Sequence, residues 1–222
     1  MQPCPSNAKP IIWIVDEAIP STSIVNDAAL LINNGGLVVY PTETFYALGG
    51  QPTHERVIKR IFAVKERNAG KPLPLIAASA TDVRQAVNNW SEAAELLAQA
   101  FWPGPLTLIM EASPKLPSEL HLKTGKIAIR ISPHPLAEAL AESVGGLLIS
   151  TSANISGQSA IAHPDDIEPA LLAQIDGLIH AGKVAGRTPS TIVDVSAAVP
   201  RLIRAGCVPW EAVEQTLQRG GR

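Results

Sequence analysis

Apolar and polar positions along this chain follow two patterns, and each pattern predicts one kind of element. Short, mostly apolar runs bounded by glycine, proline or polar residues are typical of buried β-strands. Longer segments whose apolar residues recur every three or four positions are typical of amphipathic helices. The first pattern predicts strands at 36–40, 73–78, 106–111, 126–131, 146–150, 176–180, 191–195 and 201–204. The second predicts helices at 23–33, 54–64, 91–101, 135–143, 165–174 and 209–218.

The helix predicted at 54–64 has the clearest helical pattern. Its apolar stripe consists of Val57, Ile58, Ile61 and Phe62. Thr53 precedes it, and threonine is one of the residue types that cap helix N-termini through a side-chain oxygen. We therefore predict that Thr53 caps this helix.

Helices and strands are mixed along all 222 residues, with no internal repeat and no linker. This arrangement predicts a single α/β domain, built on an open, twisted mixed sheet with flanking helices. The hydrophobic fraction of 46% supports a sizeable core. We expect the domain to span residues 11–222, after a flexible N-terminal lead of residues 1–10.

Composition excludes several classes of protein. The net charge of −2 provides no overall basic field, so nucleic-acid binding would need a local basic patch. The longest apolar runs have the length of strands and are too short to cross a membrane. Cys4 and Cys207 form no disulfide framework, and neither cysteines nor histidines have metal-ligand spacing. We therefore expect a cytoplasmic protein without a protein-only metal site.

Polar residues follow the strand predicted at 36–40. Pro41 should end this strand, because proline cannot donate to a central ladder. Thr42, Glu43 and Thr44 then lie at the strand tip, where α/β sheets usually place ligand groups. These residues alone leave an ordinary polar turn as the alternative.

Three cations, Lys65, Arg67 and Lys71, lie close together at the end of the helix predicted at 54–64. Lysine supplies a point charge and arginine a planar fork, so Lys65 and Arg67 could both face one phosphate. A helix C-terminus also favours cations through its dipole. A solvated charged surface is therefore an equally good interpretation of these residues alone.

A cluster of polar residues follows the strand predicted at 146–150. Ser150, Thr151, Ser152 and Asn154 place more hydroxyl and amide groups there than a simple cap needs. We expect them to surround a polar ligand. No Ser-His-Asp arrangement is evident, so the cluster does not predict a nucleophilic serine.

Arg130, Ser190 and Arg204 lie at the ends of other predicted strands, where a salt bridge or a strand cap is the ordinary role. No familiar nucleotide-binding motif is complete. The segment from Gly177 to Lys183 is similar to a P-loop, but Val184 stands where the magnesium-binding hydroxyl is required.

Taken in order, these segments resemble the YrdC family of threonylcarbamoyl-AMP synthases over roughly residues 23–208. The resemblance depends on the order and spacing of short motifs. They are PTETFYALG at 41–49, KERNAGKPL at 65–73, WPGPLT at 102–107, IAIRISPHP at 127–135, STSANISG at 150–157, STIVD at 190–194 and IRAG at 203–206.

The resemblance implies a fold and a reaction. The implied fold is an open twisted α/β sheet with a concave, positively lined cavity. The implied reaction is nucleotidyl transfer, in which L-threonine, bicarbonate and ATP give threonylcarbamoyl-AMP and pyrophosphate. The product serves t6A modification at position 37 of tRNA. Expected partners are the downstream threonylcarbamoyl transferase proteins, with weak direct tRNA binding and no membrane. Mg²⁺ is expected to arrive with ATP.

The resemblance also implies roles for individual residues. It implies catalytic roles for Lys65 and Arg67. It implies that threonine is bound by Thr42, Arg130, Ser150 and Ser190. It implies that ATP is bound by Lys65, Arg67, Ser152, Asn154 and Arg204.

The chain departs from the family pattern at three positions. Asn68 replaces a proline after Arg67, and Ala162 stands where many members carry a small hydroxyl residue, so one nucleotide contact is expected to be missing. Ala47 replaces a glycine and would be strained if that glycine had a positive φ angle. The chain ends at Arg222, so we expect the short form without the extra C-terminal domain of longer members.

Two other functions are compatible with parts of this sequence. One is an RNA-binding module that uses the basic segment and the cavity, although the charge and the few aromatic residues argue against it. The other is a carbamoyl-transfer domain like the YrdC-like part of hydrogenase-maturation proteins. Those proteins carry an acylphosphatase-like region and zinc-binding cysteines, which this sequence lacks.

Overall fold

The computed structural model of this chain describes residues 9–15, 21–66, 72–186 and 188–220. Strands and helices alternate through most of this range. The strands are β1 (Ile11–Ile14), β2 (Val38–Tyr40), β3 (Ala47–Gly49), β4 (Leu75–Ala77), β5 (Leu106–Glu111), β6 (Lys126–Ile131), β7 (Leu147–Ile149), β8 (Thr151–Ser152), β9 (Gly177–His180), β10 (Thr191–Asp194) and β11 (Arg201–Arg204). The helices are α1 (Thr22–Asn33), α2 (Glu55–Val64), α3 (Ala80–Ala86), α4 (Glu92–Phe101), α5 (Pro135–Ser143), α6 (Pro169–Leu172) and α7 (Trp210–Gly220).

The described strands form two sheets, where the sequence predicted one. The first sheet has the order β1-β9-β2-β3-β8, and the second has the order β11-β10-β5-β6-β4-β7. Both contain parallel and antiparallel pairs. The prediction of an α/β fold with mixed strand directions and flanking helices is therefore confirmed, but the prediction of a single sheet is wrong.

The two sheets pack against the same pair of helices. Helices α1 and α5 contact each other and cover residues of both sheets. Val38 and Tyr40 of the first sheet and Ile76 and Leu148 of the second lie in this one apolar cluster. Leu37, which precedes β2, and Val39 of β2 belong to the other cluster on the opposite face. Sheet residues that are apolar at consecutive positions are thus buried on both faces, as expected for a sheet between layers.

The chain passes from one sheet to the other within a few residues. Strand β7 pairs with β4 in the second sheet, and β8 pairs with β3 in the first. Only Ser150 separates these two strands. The sheets therefore meet at Ser150, and a pattern of apolar residues along one chain cannot reveal such a change of partner.

Local details correct two predictions about helices and add one helix. Helix α2 has His54 as its N-cap, with no capping bond from a side chain, so the prediction of Thr53 as the cap is wrong. The helix predicted at 165–174 is a 3-10 turn, Pro164–Asp166, followed by α6, because the residue before Pro169 is kept out of the helical region. Helix α3 was not predicted.

Strand ends agree better with the sequence. Strand β2 ends at Tyr40, before Pro41, as predicted. Ala47 lies in β3 opposite Tyr40 and does not have a positive φ, so alanine causes no strain there. Three short strands, β1, β3 and β8, were not predicted. Residues 1–8 lie outside the described range, so the flexible lead and the domain limits stay predictions.

Candidate functional site

The loop between β2 and β3 is organised around Thr42. The Thr42 hydroxyl donates to the carbonyl of Phe45 at 2.6 Å and accepts from the amides of Thr44 and Phe45 at 3.2 Å each. Thr42 is fully buried. Its described bonds therefore lie within its own loop, which they close. A role of Thr42 in binding threonine stays a prediction.

A second loop presses against this one at Gly186. A Cβ atom built on Gly186 would lie 1.2 Å from the carbonyl oxygen of Thr44. No side chain can be accommodated at that distance, so only glycine allows the two backbones to approach so closely. The segment after β9 thereby supports the loop that carries Thr42 and Glu43.

Glu43 and Arg130 form the ionic centre of this region. The Arg130 Nε donates to Glu43 Oε1 at 3.0 Å, and the side chains of both residues are largely buried. The hydroxyl of Ser132 donates to the other carboxylate oxygen of Glu43. Ser132 in turn accepts the amide of His134 at 3.2 Å. Strand β6 therefore supplies Arg130, and the turn after it helps to hold Glu43.

Ser190 and Arg204 lie together beside this centre. The guanidinium of Arg204 donates to the Ser190 carbonyl at 3.1 and 2.8 Å and to its hydroxyl at 3.0 Å. The Ser190 hydroxyl also bonds to Thr107 at 2.8 Å. Strand β10 lies between β5 and β11, which brings these three residues together.

Electrostatic effects connect Arg204 to Arg130. Burial lowers the pKa of Arg204, and the nearby positive charge of Arg130 lowers it further. The sequence assigned Arg204 to the nucleotide and Ser190 to threonine, but the structure places these two side chains in direct contact. The residues predicted to bind threonine and those predicted to bind ATP therefore do not form two separate clusters.

Ser150 lies where the two sheets meet, and the surroundings of its side-chain hydroxyl are unusual. Its backbone amide donates to the carbonyl of Pro74 at 2.8 Å. Its side-chain oxygen is fully buried and is the one such atom without a hydrogen-bond partner within the described ranges. Burial raises the pKa of the neighbouring Tyr40 hydroxyl, while the nearby Ser150 hydroxyl and the charge of Arg130 act in the opposite direction. Tyr40 donates its own proton to the Ile149 carbonyl at 3.1 Å, so its approach to Ser150 lacks the geometry of a hydrogen bond. An unpaired buried hydroxyl is costly, so this atom is a natural contact for a bound polar ligand.

Lys65, Ser152 and Asn154 form a second cluster. The Lys65 ammonium donates to the carbonyls of Ser152 and Asn154, the latter at 2.7 Å, and lies 3.4 Å from the side-chain oxygen of Asn154. The Ser152 hydroxyl donates to that same oxygen. Lys65 is buried, whereas Ser152 is exposed. The structure thus brings these three residues together, whereas Arg67 lies outside the described residues, and their role in binding ATP stays a prediction.

The turn after α2 directs Lys65 into this cluster. Glu66 has a φ angle of 47°, which is the left-handed conformation and is uncommon for residues other than glycine. The amide of Ser156 donates to the Lys65 carbonyl at 3.0 Å. A strained turn that is held by such bonds is typical of functional sites.

Sequence reasoning placed Glu43 at a strand tip but assigned it no role in the site. Ser132 and Tyr40 were also missed. A signal was available for Glu43, because a carboxylate between apolar and aromatic neighbours in YPTETFY needs a buried partner. The identity of that partner, which is 87 positions away, could not be read from the sequence.

The described part of the chain has neither a metal-binding cluster nor a membrane-spanning helix. It contains no group of three or more histidine, cysteine, aspartate or glutamate side chains that could hold a metal ion. Within that same part, no helix is both long enough and apolar enough to cross a membrane.

Comparison with known proteins adds the family to this geometry. The sequence profile of the Sua5–YciO–YrdC family, which is described as "Telomere recombination", matches residues 30–206. The chain belongs to this family. All the predicted site residues lie within the matched range, and so does the ionic centre of Glu43 and Arg130.

Family members of known name and structure are similar to this chain over most of its length. A protein from Pyrococcus abyssi named threonylcarbamoyl-AMP synthase is 34% identical over 190 residues, covering 86% of this chain and 56% of that protein. A protein of the same name from Xylella fastidiosa is 33% identical over 176 residues, covering 78% and 94%. The crystal structure of P. abyssi Sua5 complexed with L-threonine aligns with a TM-score of 0.89 and 34% identity, covering 93% of this chain and 61% of that one. The chain thus spans little more than half the length of the P. abyssi relative.

Proposed function

We propose that this chain is a threonylcarbamoyl-AMP synthase, a nucleotidyltransferase that converts L-threonine, bicarbonate and ATP into threonylcarbamoyl-AMP and pyrophosphate. The single observation that carries the proposal is the buried ionic centre of Arg130 and Glu43, in a family whose members bear that enzyme name. The solved relative that holds L-threonine supports the amino acid as the substrate.

The reaction requires an acid group to be held and negative charge to be neutralised. The amine of threonine and bicarbonate form a carbamate with loss of water. A carbamate oxygen then attacks the α-phosphorus of ATP, and pyrophosphate leaves. Positioning and electrostatic stabilisation can supply most of the catalysis, so no protein nucleophile is required.

On the threonine side, Arg130 binds the carboxylate through its guanidinium fork. Ser150 offers its buried hydroxyl to a polar group of the amino acid, and Ser190 supports the same region. Thr42 contributes by closing the loop that carries Glu43. The burial of all four residues supports this part of the proposal.

On the nucleotide side, the proposal assigns the Lys65 charge to the carbamate and the phosphates, together with Arg67. The bonds from Lys65 to the 152–154 turn support this role, because they hold a cation where Ser152 and Asn154 also offer polar groups. Arg204 extends the positive charge toward the ionic centre. Mg²⁺ belongs to the substrate MgATP in this proposal, since phosphates and water suffice as its ligands.

In this proposal the product passes to threonylcarbamoyl transferase proteins, which modify position 37 of tRNA. A cytoplasmic location and weak direct contact with tRNA remain predictions from the sequence.

The function is tested by measuring pyrophosphate release from ATP with threonine and bicarbonate omitted in turn. We expect release to require both compounds. Release that is independent of threonine would overturn the substrate assignment. Salt-sensitive tRNA binding without any ATP turnover would instead support the RNA-binding alternative.

A further inference from the structure

The contact between Glu43 and Arg130 uses only part of each charged group. Glu43 Oε1 accepts from Arg130 Nε at 3.0 Å, and Glu43 Oε2 accepts from Ser132. The hydrogen bonds between described residues do not engage either terminal nitrogen of Arg130. These nitrogens also keep some solvent contact, since they are not among the fully buried atoms without partners.

A second ion pair in the same protein shows what a purely structural contact looks like. Arg60 and Asp176 meet through both terminal nitrogens of the guanidinium, one of which lies 3.0 Å from Asp176 Oδ1. The same arginine also donates to the Gln174 carbonyl at 2.8 Å. Asp176 further accepts the amide of Leu37 at 2.7 Å. The fork of Arg60 is therefore occupied by the protein itself, which is the opposite of the arrangement at Arg130.

The difference has a chemical consequence. A guanidinium binds a carboxylate most specifically through two parallel N–H bonds. When Glu43 holds the Nε edge, the fork of two terminal nitrogens points away from Glu43 and keeps one orientation. Glu43 itself is held by Ser132, and its loop is closed by Thr42 and supported at Gly186. The carboxylate therefore has little freedom to turn toward the terminal nitrogens.

We propose that Glu43 is a positioning residue for substrate binding, which orients Arg130 so that its free fork receives the carboxylate of the amino-acid substrate. This inference rests on the proposed function. In this role Glu43 acts through Arg130 and does not touch the amino group of threonine.

The first test is Glu43→Gln, which keeps the shape of the side chain and removes its charge. The KM for L-threonine should rise about tenfold, the size expected when a charge-assisted bond that orients a ligand-binding group is lost. The KM for ATP should change less than about twofold. Glu43→Asp, which retains the charge on a shorter side chain, should restore part of the threonine affinity. Asp176→Asn is the control, because it breaks the other partly buried arginine–carboxylate pair and should lower the melting temperature without selective loss of threonine affinity.

The second test separates a positioning role from direct contact. The dissociation constants of L-threonine and L-threonine amide are measured by NMR titration for the original chain and for Glu43→Gln. The amide lacks the carboxylate charge that the Arg130 fork would bind. We expect the variant to weaken L-threonine about tenfold and to leave the affinity for the amide nearly unchanged.

Three outcomes would overturn either the positioning role of Glu43 or the proposed function. Equal weakening of both compounds would mean that Glu43 contacts the amino group directly. No weakening of either would mean that Glu43 is purely structural. If the original chain itself neither binds L-threonine nor releases pyrophosphate, the proposed function fails, which is a different result from a failure of Glu43→Gln alone.

Discussion

At the scale of single residues, the region around Arg130 combines satisfied and unsatisfied polar groups. Thr191 is a buried hydroxyl that donates to the Val208 carbonyl at 2.7 Å and accepts its amide at 3.0 Å. Ser150 is equally buried but has no such partner in the described structure. A protein tolerates an unpaired buried hydroxyl where a ligand supplies the missing bond. Removing these two hydroxyls should therefore have opposite effects on stability and on threonine affinity.

Replacing Ser150 by alanine should leave the folded chain as stable as before. The Ser150 hydroxyl forms no hydrogen bond of good geometry, so the free energy of unfolding should change by less than about 0.5 kcal/mol or rise slightly. The affinity for threonine should fall by roughly tenfold, the equivalent of one ligand hydrogen bond. Thr191→Val is the control and should cost about 1–3 kcal/mol of stability, because it leaves backbone groups of Val208 unpaired. Urea unfolding and threonine titration check both, and a large loss of stability in Ser150→Ala would contradict the ligand role.

Lys65 should matter to both catalysis and local structure. Lys65→Ala removes a cation that we assign to the carbamate and phosphates, so turnover should fall about 10²-fold or more. Arg67→Ala is expected to have an effect of the same size. Lys59→Ala serves as the control, since Lys59 forms an exposed pair with Glu55 on the same helix. Steady-state pyrophosphate release measures all three, and near-normal turnover of both Lys65→Ala and Arg67→Ala would rule out the assigned roles.

At the scale of elements, the ends of helices position parts of the site. Ser79 and Ser91 cap α3 and α4 through their hydroxyls, which is the usual arrangement. Helix α5 instead has His134 as its N-cap, and the Nδ1 atom of His134 accepts the amide of Leu136 at 3.2 Å. The amide of His134 itself donates to Ser132, which holds Glu43. The start of α5 is thereby connected to the ionic centre through two hydrogen bonds.

This histidine cap makes stability depend on pH. Burial lowers the pKa of His134, and the charge of Glu43 only partly opposes this effect. The folded state therefore favours the neutral ring. Its contribution to stability is complete above the unfolded pKa of about 6.5 and is lost as the pH falls from there through the lower folded value. Protonation would also occupy Nδ1, the acceptor that caps the helix.

The expected result is that His134→Asn has a flatter stability profile than the original chain between about pH 7.5 and pH 5. Asparagine is also a good N-cap, so the variant should keep the helix start at neutral pH. Urea unfolding at several pH values measures the difference. Parallel profiles for the two proteins would show that His134 does not contribute to the pH dependence.

At the scale of the whole molecule, the candidate site collects residues from both sheets. Glu43, Ser152 and Asn154 come from loops and a strand of the first sheet, whereas Arg130 and Arg204 come from strands of the second. Helices α1 and α5 pack across both sheets and maintain this arrangement. Substrate binding between the two groups of residues should therefore stabilise the molecule as a whole.

Removing Mg²⁺ should affect the reaction and not the fold. The described residues contain no cluster suited to a metal ion, and we expect Mg²⁺ to be carried by ATP. EDTA should therefore abolish pyrophosphate release, with recovery on addition of excess Mg²⁺. The melting temperature of the ATP-free chain should be the same with EDTA as with Mg²⁺. A lower melting temperature in EDTA would indicate a metal ion held by the protein itself.

The sequence alone determined the strands and strand ends that depend on a short run of neighbouring residues. The eight predicted strands all exist, because apolar runs such as those of β5 and β6 are long enough to be buried wherever they pair. The end of β2 at Pro41 follows from the chemistry of one residue. The order of the motifs was sufficient to identify the family, since that order is itself a property of the sequence.

Tertiary structure decided what depends on partners distant in the chain. Strands β3 and β8 are only a few residues long and gain their conformation from pairing with each other and with β2. The exposed strand β1 is a strand only because β9 lies beside it. The change of sheet at Ser150 and the pairing of Glu43 with Arg130 likewise join segments that no local pattern connects. The sequence therefore predicted polar groups at strand ends. Only the fold determined which of these groups form ion pairs, which are hydrogen-bonded within the protein and which one remains available for a ligand.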